Sequence, residues 1–276
     1  MISDHTTEIA GFVQASFRPI TNLLLVAGGR IDSFSDFGTV ATWRVAGSYI
    51  IASTGTTLRS SYATGFSPPS IQDKIFRQNI NDPLFPERSR GFDVGFEQSL
   101  WKKQLTFGAN FFYNHLSNII GFDNNFNTFN LGEARTQGVE AFARWEPIAK
   151  LVLTASYTYL DARRTNGLDI SQPNGARLPR RARNQLAATI SYQCWHDRLT
   201  AGFEGRMVNG REDANFGAPN SNIPDYSVCR LWVNLQVTKQ LRLTARIENL
   251  TNRAYAEVPG FPALSRGYFG GAEWRF

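Results

Sequence analysis

Three histidines, His5, His115 and His196, and two cysteines, Cys194 and Cys229, are the residues of this 276-residue chain whose types first suggest covalent or metal chemistry. A nucleophile needs a base within hydrogen-bond reach, and metal sites draw ligands from short recurring spacings. Here the histidines lie far apart, no Gly-x-Ser-x-Gly elbow occurs, and the cysteines show neither Cys-x-x-Cys spacing nor a histidine pair nearby. The residues therefore predict no catalytic group, no cofactor and no metal site, and the chain reads as something other than an enzyme. A Cys194–Cys229 disulfide is left open without support. His115, at a segment end, and His196, in a short turn, read as solvated polar residues. What remains is non-covalent: Tyr226, Phe216, Tyr255 and Phe261 fall in polar connecting segments, where rings can stack on a bulky ligand. The formal charge is +6, but the arginines are spread over the whole length with no lysine-rich tract, which excludes nucleic acid as a partner.

The elements that carry these residues repeat with period two. In 241–248, Leu241, Leu243, Ala245 and Ile247 alternate with Arg242, Thr244, Arg246 and Glu248; in 230–237, Leu231, Val233, Leu235 and Val237 alternate with Arg230, Trp232, Asn234 and Gln236. Segments 104–114, 151–159, 185–193, 199–207, 138–145 and 91–97 read the same way, and 57–62, 43–49, 22–32 and 9–17 less cleanly. With the terminal stretch "RGYFGGAEWRF" this predicts roughly thirteen strands of about ten residues, and no helix of comparable length.

Connectors alternate between two kinds. "RPITN", "STGT", "WKK", "EPIAK", "CWHDR" and "TKQ" are tight hairpin links, while between them fall long polar loops such as "DARRTNGLDISQPNGARLPRRAR" and "MVNGREDANFGAPNSNIPDYS". Short links on one rim and long ones on the other are the pattern of an up-and-down antiparallel sheet spanning a bilayer. No apolar run is long enough to span as a helix, and mean hydropathy is only −0.29 although aromatics make up 13% of the chain. Strands of about ten residues match a tilted crossing of the hydrocarbon. Tyr157 and Tyr159, Phe111 and Tyr113, and Trp274 and Phe276 read as aromatic girdles at strand ends. The polar faces carry full charges (Arg206 and Glu204, Arg242, Arg246 and Glu248, Arg144 and Glu140), which suits a wet interior. The predicted fold is all-β, a transmembrane antiparallel barrel with lipid-facing aliphatic rows, in the outer membrane of a Gram-negative bacterium.

Three stretches resemble the TonB-dependent outer-membrane receptors: "LRSSYATGFSPPSIQDKIF" (Leu58–Phe76) with "NDPLFPERSRGFDVGFE" (Asn81–Glu97), "NLGEARTQGVEAFARW" (Asn130–Trp145), and "IENLTNRAYAEVPGFPALSRGYFGGAEWRF" (Ile247–Phe276). "NDPLFPE" departs from the family's Asn-Pro spacing, and Arg266 follows Ser rather than Gly. "SYTYLDAR", "LPRRARNQ" and "VNGRED" are most similar to the vitamin B12 and siderophore receptor group. The resemblance implies a barrel of about 22 strands around a plug, of which residues 1–276 would supply the C-terminal portion. "MISDHTTEIAGF" shows no secretion signal, and the plug and TonB-contacting segment are missing, so a fragment is expected. The implied function is TonB-coupled uptake of a bulky scarce nutrient, cobalamin or a ferric siderophore. A non-transporting remnant and a passive porin-like barrel are the alternatives. The resemblance points to Arg180, Arg181 and Arg211 as ligand contacts, which Tyr226 joins as a loop aromatic able to stack on a ligand, and to Tyr268, Trp274 and Phe276 as the signal read by the barrel-assembly machinery. Implied partners are the outer-membrane bilayer, that machinery and the TonB system. Gly108 and Gly138 would relieve crowding within strands, Pro68, Pro69, Pro83 and Pro86 would stiffen a loop, and Asn249 and Asn252 would organise a turn.

Overall fold

Alternating sequences joined by links of a few residues pair with their neighbours in order, because closing a short hairpin costs little entropy. In a computed structural model, which describes residues 6–76, 84–122, 127–167, 173–215 and 218–276, this produces one antiparallel sheet of thirteen strands. Its strands are β1 (Glu8–Ile20), β2 (Leu23–Phe34), β3 (Gly38–Ile51), β4 (Thr56–Ser67), β5 (Glu87–Leu100), β6 (Leu105–Phe122), β7 (Thr128–Trp145), β8 (Leu151–Gly167), β9 (Asn184–Cys194), β10 (Leu199–Asn209), β13 (Tyr226–Gln236), β14 (Leu241–Glu248) and β17 (Gly267–Trp274). Two hairpins stand outside the sheet: β11 (Arg211–Asn215) with β12 (Ala218–Ile223), and β15 (Ala256–Val258) with β16 (Phe261–Pro262). A short helix, α1 (Ile71–Ile75), carries a capping box in which Ser70 and Asp73 satisfy each other's backbone donors.

Register assigns the faces. Phe96, Ala109, Ala141, Tyr157, Leu186 and Met207 lie opposite one another across six successive strands, so they share one face. The same bookkeeping puts Leu25, Val45, Leu58, Val94, Phe111, Val139, Ile190, Phe203, Leu231 and Leu243 on that face, and most are well exposed. The opposite face carries Arg59, Asp93, Glu97, Glu140, Arg206, Glu204, Arg230, Arg246 and Glu248. Only nine apolar side chains are buried among the described residues, far too few for a soluble core. The wall is therefore turned inside out, aliphatic toward lipid and ionic toward the lumen.

The lumen-facing glycines expected to relieve crowding do so against aromatic rings. Phe112 lies opposite Gly138 and Phe142 opposite Gly108, and at a glycine not singled out in sequence Trp232 lies opposite Gly202, each ring lying over the position that a side chain would occupy. Large and small residues thus alternate across the inner surface.

Two expectations about length need correction. β6 and β7 run to 18 residues and β8 to 17, so most of the loop read at "SNIIGFDNNFNTFN" is paired strand. Beyond the hydrocarbon the outward face no longer has to be apolar, so ladder pairing continues without the alternation that marks a strand in sequence. For the same reason Tyr157, Tyr159, Phe111 and Tyr113 lie within long strands rather than at their ends: the hydrocarbon boundary falls partway along β6 and β8. Residues 123–126 and Pro83 lie outside the described residues.

Candidate functional site

The outer mouth is built where β10 gives way to the hairpin β11–β12. Arg211 is 5% exposed, and its guanidinium donates to three backbone carbonyls: Pro224 O at 2.9 Å, Glu257 O at 3.0 Å and Ala256 O at 3.2 Å. It also lies 4.9 Å from the ring centroid of Tyr226, an attractive cation–π arrangement. Tyr226, itself 3% exposed, stacks on Tyr255 at 4.3 Å and donates from its hydroxyl to Glu257 Oε1 at 2.9 Å. Arg206 reaches the same carboxylate oxygen at 3.2 Å. Ala182, Val208 and Tyr226 close the small apolar cluster beneath. One arginine thus bolts the hairpin β15–β16 to the start of β13.

Arg180 takes a left-handed backbone conformation, φ 57°, and its amide donates to Glu212 O at 2.7 Å. Its guanidinium grips the Asp213 carboxylate at 2.6 and 3.4 Å, which holds the arginine even more firmly protonated. Arg181 is exposed, and among the described residues it makes no hydrogen bond or ion pair. The four residues singled out in sequence therefore gather at one mouth in different states: Arg181 open, Arg180 half-committed, Arg211 and Tyr226 sealed inside. Phe261 stands 74% exposed on β16, and Phe216 lies outside the described residues.

Asn249 and Asn252 do organise a turn. Both adopt left-handed backbones, φ 48° and 54°. The Asn249 amide donates to Arg253 O and Leu264 O at 2.9 and 3.1 Å and accepts from Arg253 N at 2.8 Å. Asn252 accepts from Arg266 N at 2.9 Å.

Below this turn a cavity of about 370 Å³ faces the lumen, lined by Glu204, Arg206, Arg230, Glu248, Tyr255 and Phe269 among others. Arg230 donates to Glu204 at 2.7 and 3.1 Å and lies 3.8 Å from Glu248. Arg246, bound to Glu248 at 2.9 Å, sits 4.4 Å over the Phe269 ring. Such a surface can exchange its own ion pairs for those of a polar ligand. Sequence reasoning placed these residues on the wet face but did not gather them. The signal was there, since Glu204, Arg230, Arg246 and Phe269 meet once the strands pair in order. Cys194 and Cys229 are free thiols. Among the described residues no three His, Cys, Asp or Glu converge as a metal site.

Tyr268, Trp274 and Phe276 follow the lipid-facing parity of β17, and all three are strongly exposed.

A chain whose wall is inverted, with tight links on one rim and built-up hairpins on the other, is an outer-membrane β-barrel protein. Residues 2–250 match the family model described as TonB dependent receptor-like, beta-barrel, and the chain belongs to that family. Solved structures share the fold at low identity. The ferric-catecholate import receptor Fiu of Escherichia coli K12 superposes with a TM-score of 0.81 at 17% identity, over 98% of this chain and 45% of that one. The ferripyoverdine receptor of the Pseudomonas aeruginosa outer membrane gives 0.78 at 20%, over 98% and 38%. The FrpB iron transporter of Neisseria meningitidis gives 0.82 at 16%, over 98% and 46%. This chain spans under half the length of these receptors.

Proposed function

We propose that this chain forms thirteen strands of the wall, and part of the external mouth, of a TonB-coupled receptor that takes up a bulky scarce nutrient. A ferric siderophore is the leading ligand class and cobalamin the second. Two considerations support a larger wall: β1 and β17 each pair on one side only among the described residues, and unpaired edges are not tolerated in hydrocarbon. A plug and a TonB-contacting segment elsewhere in the whole protein would supply the coupling. The observation that carries the reading is the mouth itself. Hairpins locked by Arg211 carry Arg181 and Phe261 open and Arg180 paired to Asp213 beside a lumen cavity lined by paired charges, a rigid frame with arginine and aromatic groups for an anionic, ring-bearing ligand.

The test is uptake by cells lacking their own receptors and expressing the whole protein. Labelled ferric siderophore or cobalamin should enter only when TonB is present, and R181A with F261A should weaken binding while leaving the amount of folded protein unchanged. Entry of small solutes that is indifferent to TonB would establish the porin-like alternative instead. Tyr268, Trp274 and Phe276 are proposed to serve as the assembly signal. F276A should then lower the amount of protein reaching the outer membrane without altering ligand affinity of the fraction that does.

A further inference from the structure

The lipid-facing surface is not apolar to its top. Two residues above Phe92, Tyr113 and Gln137 on the same strands, and so about 7 Å further outward, Arg90, His115, Arg135 and Arg163 stand opposite one another on β5, β6, β7 and β8. No register shift separates them from the aliphatic rows below, so they share the lipid-facing side. Arg88 adds a further exposed cation on β5. Acids are scarcer here. Asp161 is shared by Arg163 at 2.7 Å and Arg135 at 3.5 Å, and Glu133 lies 3.6 Å from His115. Among the described residues Arg88 and Arg90 have no acidic partner, and Arg135 Nε is buried without an acceptor. A solvated rim would carry charges of both signs. This row carries a surplus of one.

A notch adjoins the row. Pairing of β3 with β4 ends at Arg44 opposite Ala63, although both strands continue outward. At the split the Thr64 hydroxyl takes the place of a backbone partner, accepting from Trp43 N at 2.9 Å and donating to Trp43 O at 3.3 Å. The opening is a cavity of about 480 Å³ whose lining includes Trp43, Thr64, Arg88, Arg90, His115 and Glu133. Trp43 stacks on Tyr62 at 5.0 Å directly below, at the level where aromatic rings sit between acyl chains and headgroups.

We propose that this notch and the arginine row bind the phosphate of an outer-leaflet lipid headgroup. The acyl chains would lie along the aliphatic rows of β3 to β6, the sugar or glycerol portion against Trp43, and the phosphate between Arg88 and Arg90, with His115 and Arg135 within reach. Guanidinium forks match phosphate oxygens, and a position at the edge of the hydrocarbon strengthens the pairing. Trp101, Lys102 and Lys103 at the opposite rim are also aromatic and basic, but the lysines sit on a turn tip in water. The proposal is independent of which nutrient is transported.

Native mass spectrometry of the whole protein in a maltoside detergent tests it, with bis-phosphorylated lipid A and its dephosphorylated counterpart as probes. The phosphorylated lipid should remain bound where the dephosphorylated one is lost. R88Q/R90Q should weaken retention by about twenty-fold, roughly four- to fivefold for each interfacial arginine. K102Q/K103Q should leave retention unchanged, and R88K/R90K should keep part of it. Heat-resistant migration on a gel reports folding of each variant, and if R88Q/R90Q fails to fold, the R90K single variant and a salt series carry the comparison. Equal retention of both lipids, undiminished binding by folded R88Q/R90Q, an equal loss in K102Q/K103Q, or full displacement by millimolar inorganic phosphate would each overturn the proposal.

Discussion

At the scale of single residues, the mouth depends on Arg211 more than on any exposed charge. Its buried guanidinium replaces water at three backbone carbonyls. R211A should destabilise the mouth by roughly 2–3 kcal/mol, since hydrogen bonds made by a charged group are worth about that. R211K should rescue little, because one ammonium on a flexible stem cannot reproduce a planar fork. Limited proteolysis within 256–262 is the readout, and unchanged cleavage in R211A would refute the bolt. Gly108 makes the complementary point about space. A methyl added there would lie 2.5 Å from Phe96 O and 2.8 Å from the Phe142 ring. G108V should therefore cost about 1–3 kcal/mol through overpacking, read as a lower unfolding midpoint in urea. The sequence named Arg180, Arg181, Arg211 and Tyr226 together, and the fold does bring them to one mouth. It could not tell an open arginine from one that caps carbonyls, because that depends on where a hairpin 45 residues away folds back.

At the scale of elements, α1 is tied to the turn between β2 and β3 by one charge pair. Lys74 Nζ donates to the Asp36 carboxylate and to Thr6 Oγ1, the latter at 2.8 Å, and Thr6 donates to Asp36 at 3.1 Å. Partial burial alone would raise the Asp36 carboxyl, but the hydrogen bonds from Lys74 and Thr6 outweigh it and hold the group below its usual 3.8. Because the folded value is the lower one, the stabilisation is complete above 3.8 and disappears as pH falls through the depressed value. Hydrogen exchange of the 70–76 backbone should therefore stay constant from pH 7 to pH 5, after correction for the intrinsic rate, and gain an opening below about pH 4. D36N should show that opening at every pH. The thirteen strands themselves were legible, because one lipid-facing row per strand forces alternation. β11–β12 and β15–β16 were not, since short hairpins outside the hydrocarbon need no aliphatic row. The outer halves of β6, β7 and β8 escaped for the same reason.

At the scale of the whole molecule, the inverted wall makes a prediction that no soluble sheet shares. Ile190 and Thr189 are neighbours on β9, yet register sends Ile190 toward Leu153 and Phe203 on the lipid side and Thr189 toward Thr154 and Glu204 in the lumen. The same arginine placed at each position meets two different solvents. I190R would have to carry its charge into hydrocarbon or drag headgroups inward, costing about 2–4 kcal/mol near the midplane. T189R adds a cation to an ionic surface where Glu204 lies opposite, and it should shift stability by less than about 0.5 kcal/mol. Guanidinium titrations of the whole protein folded into phosphatidylcholine vesicles measure both. In a water-soluble sheet with the aliphatic rows packed inside, I190R would still be damaging. What distinguishes the membrane wall is the response to lipid: thinner bilayers bring position 190 nearer the headgroups, so the I190R penalty should shrink as acyl chains shorten while T189R stays level. An I190R penalty that ignores acyl length would mean those side chains face protein, and the inside-out wall, with every site placed by it, would have to be abandoned.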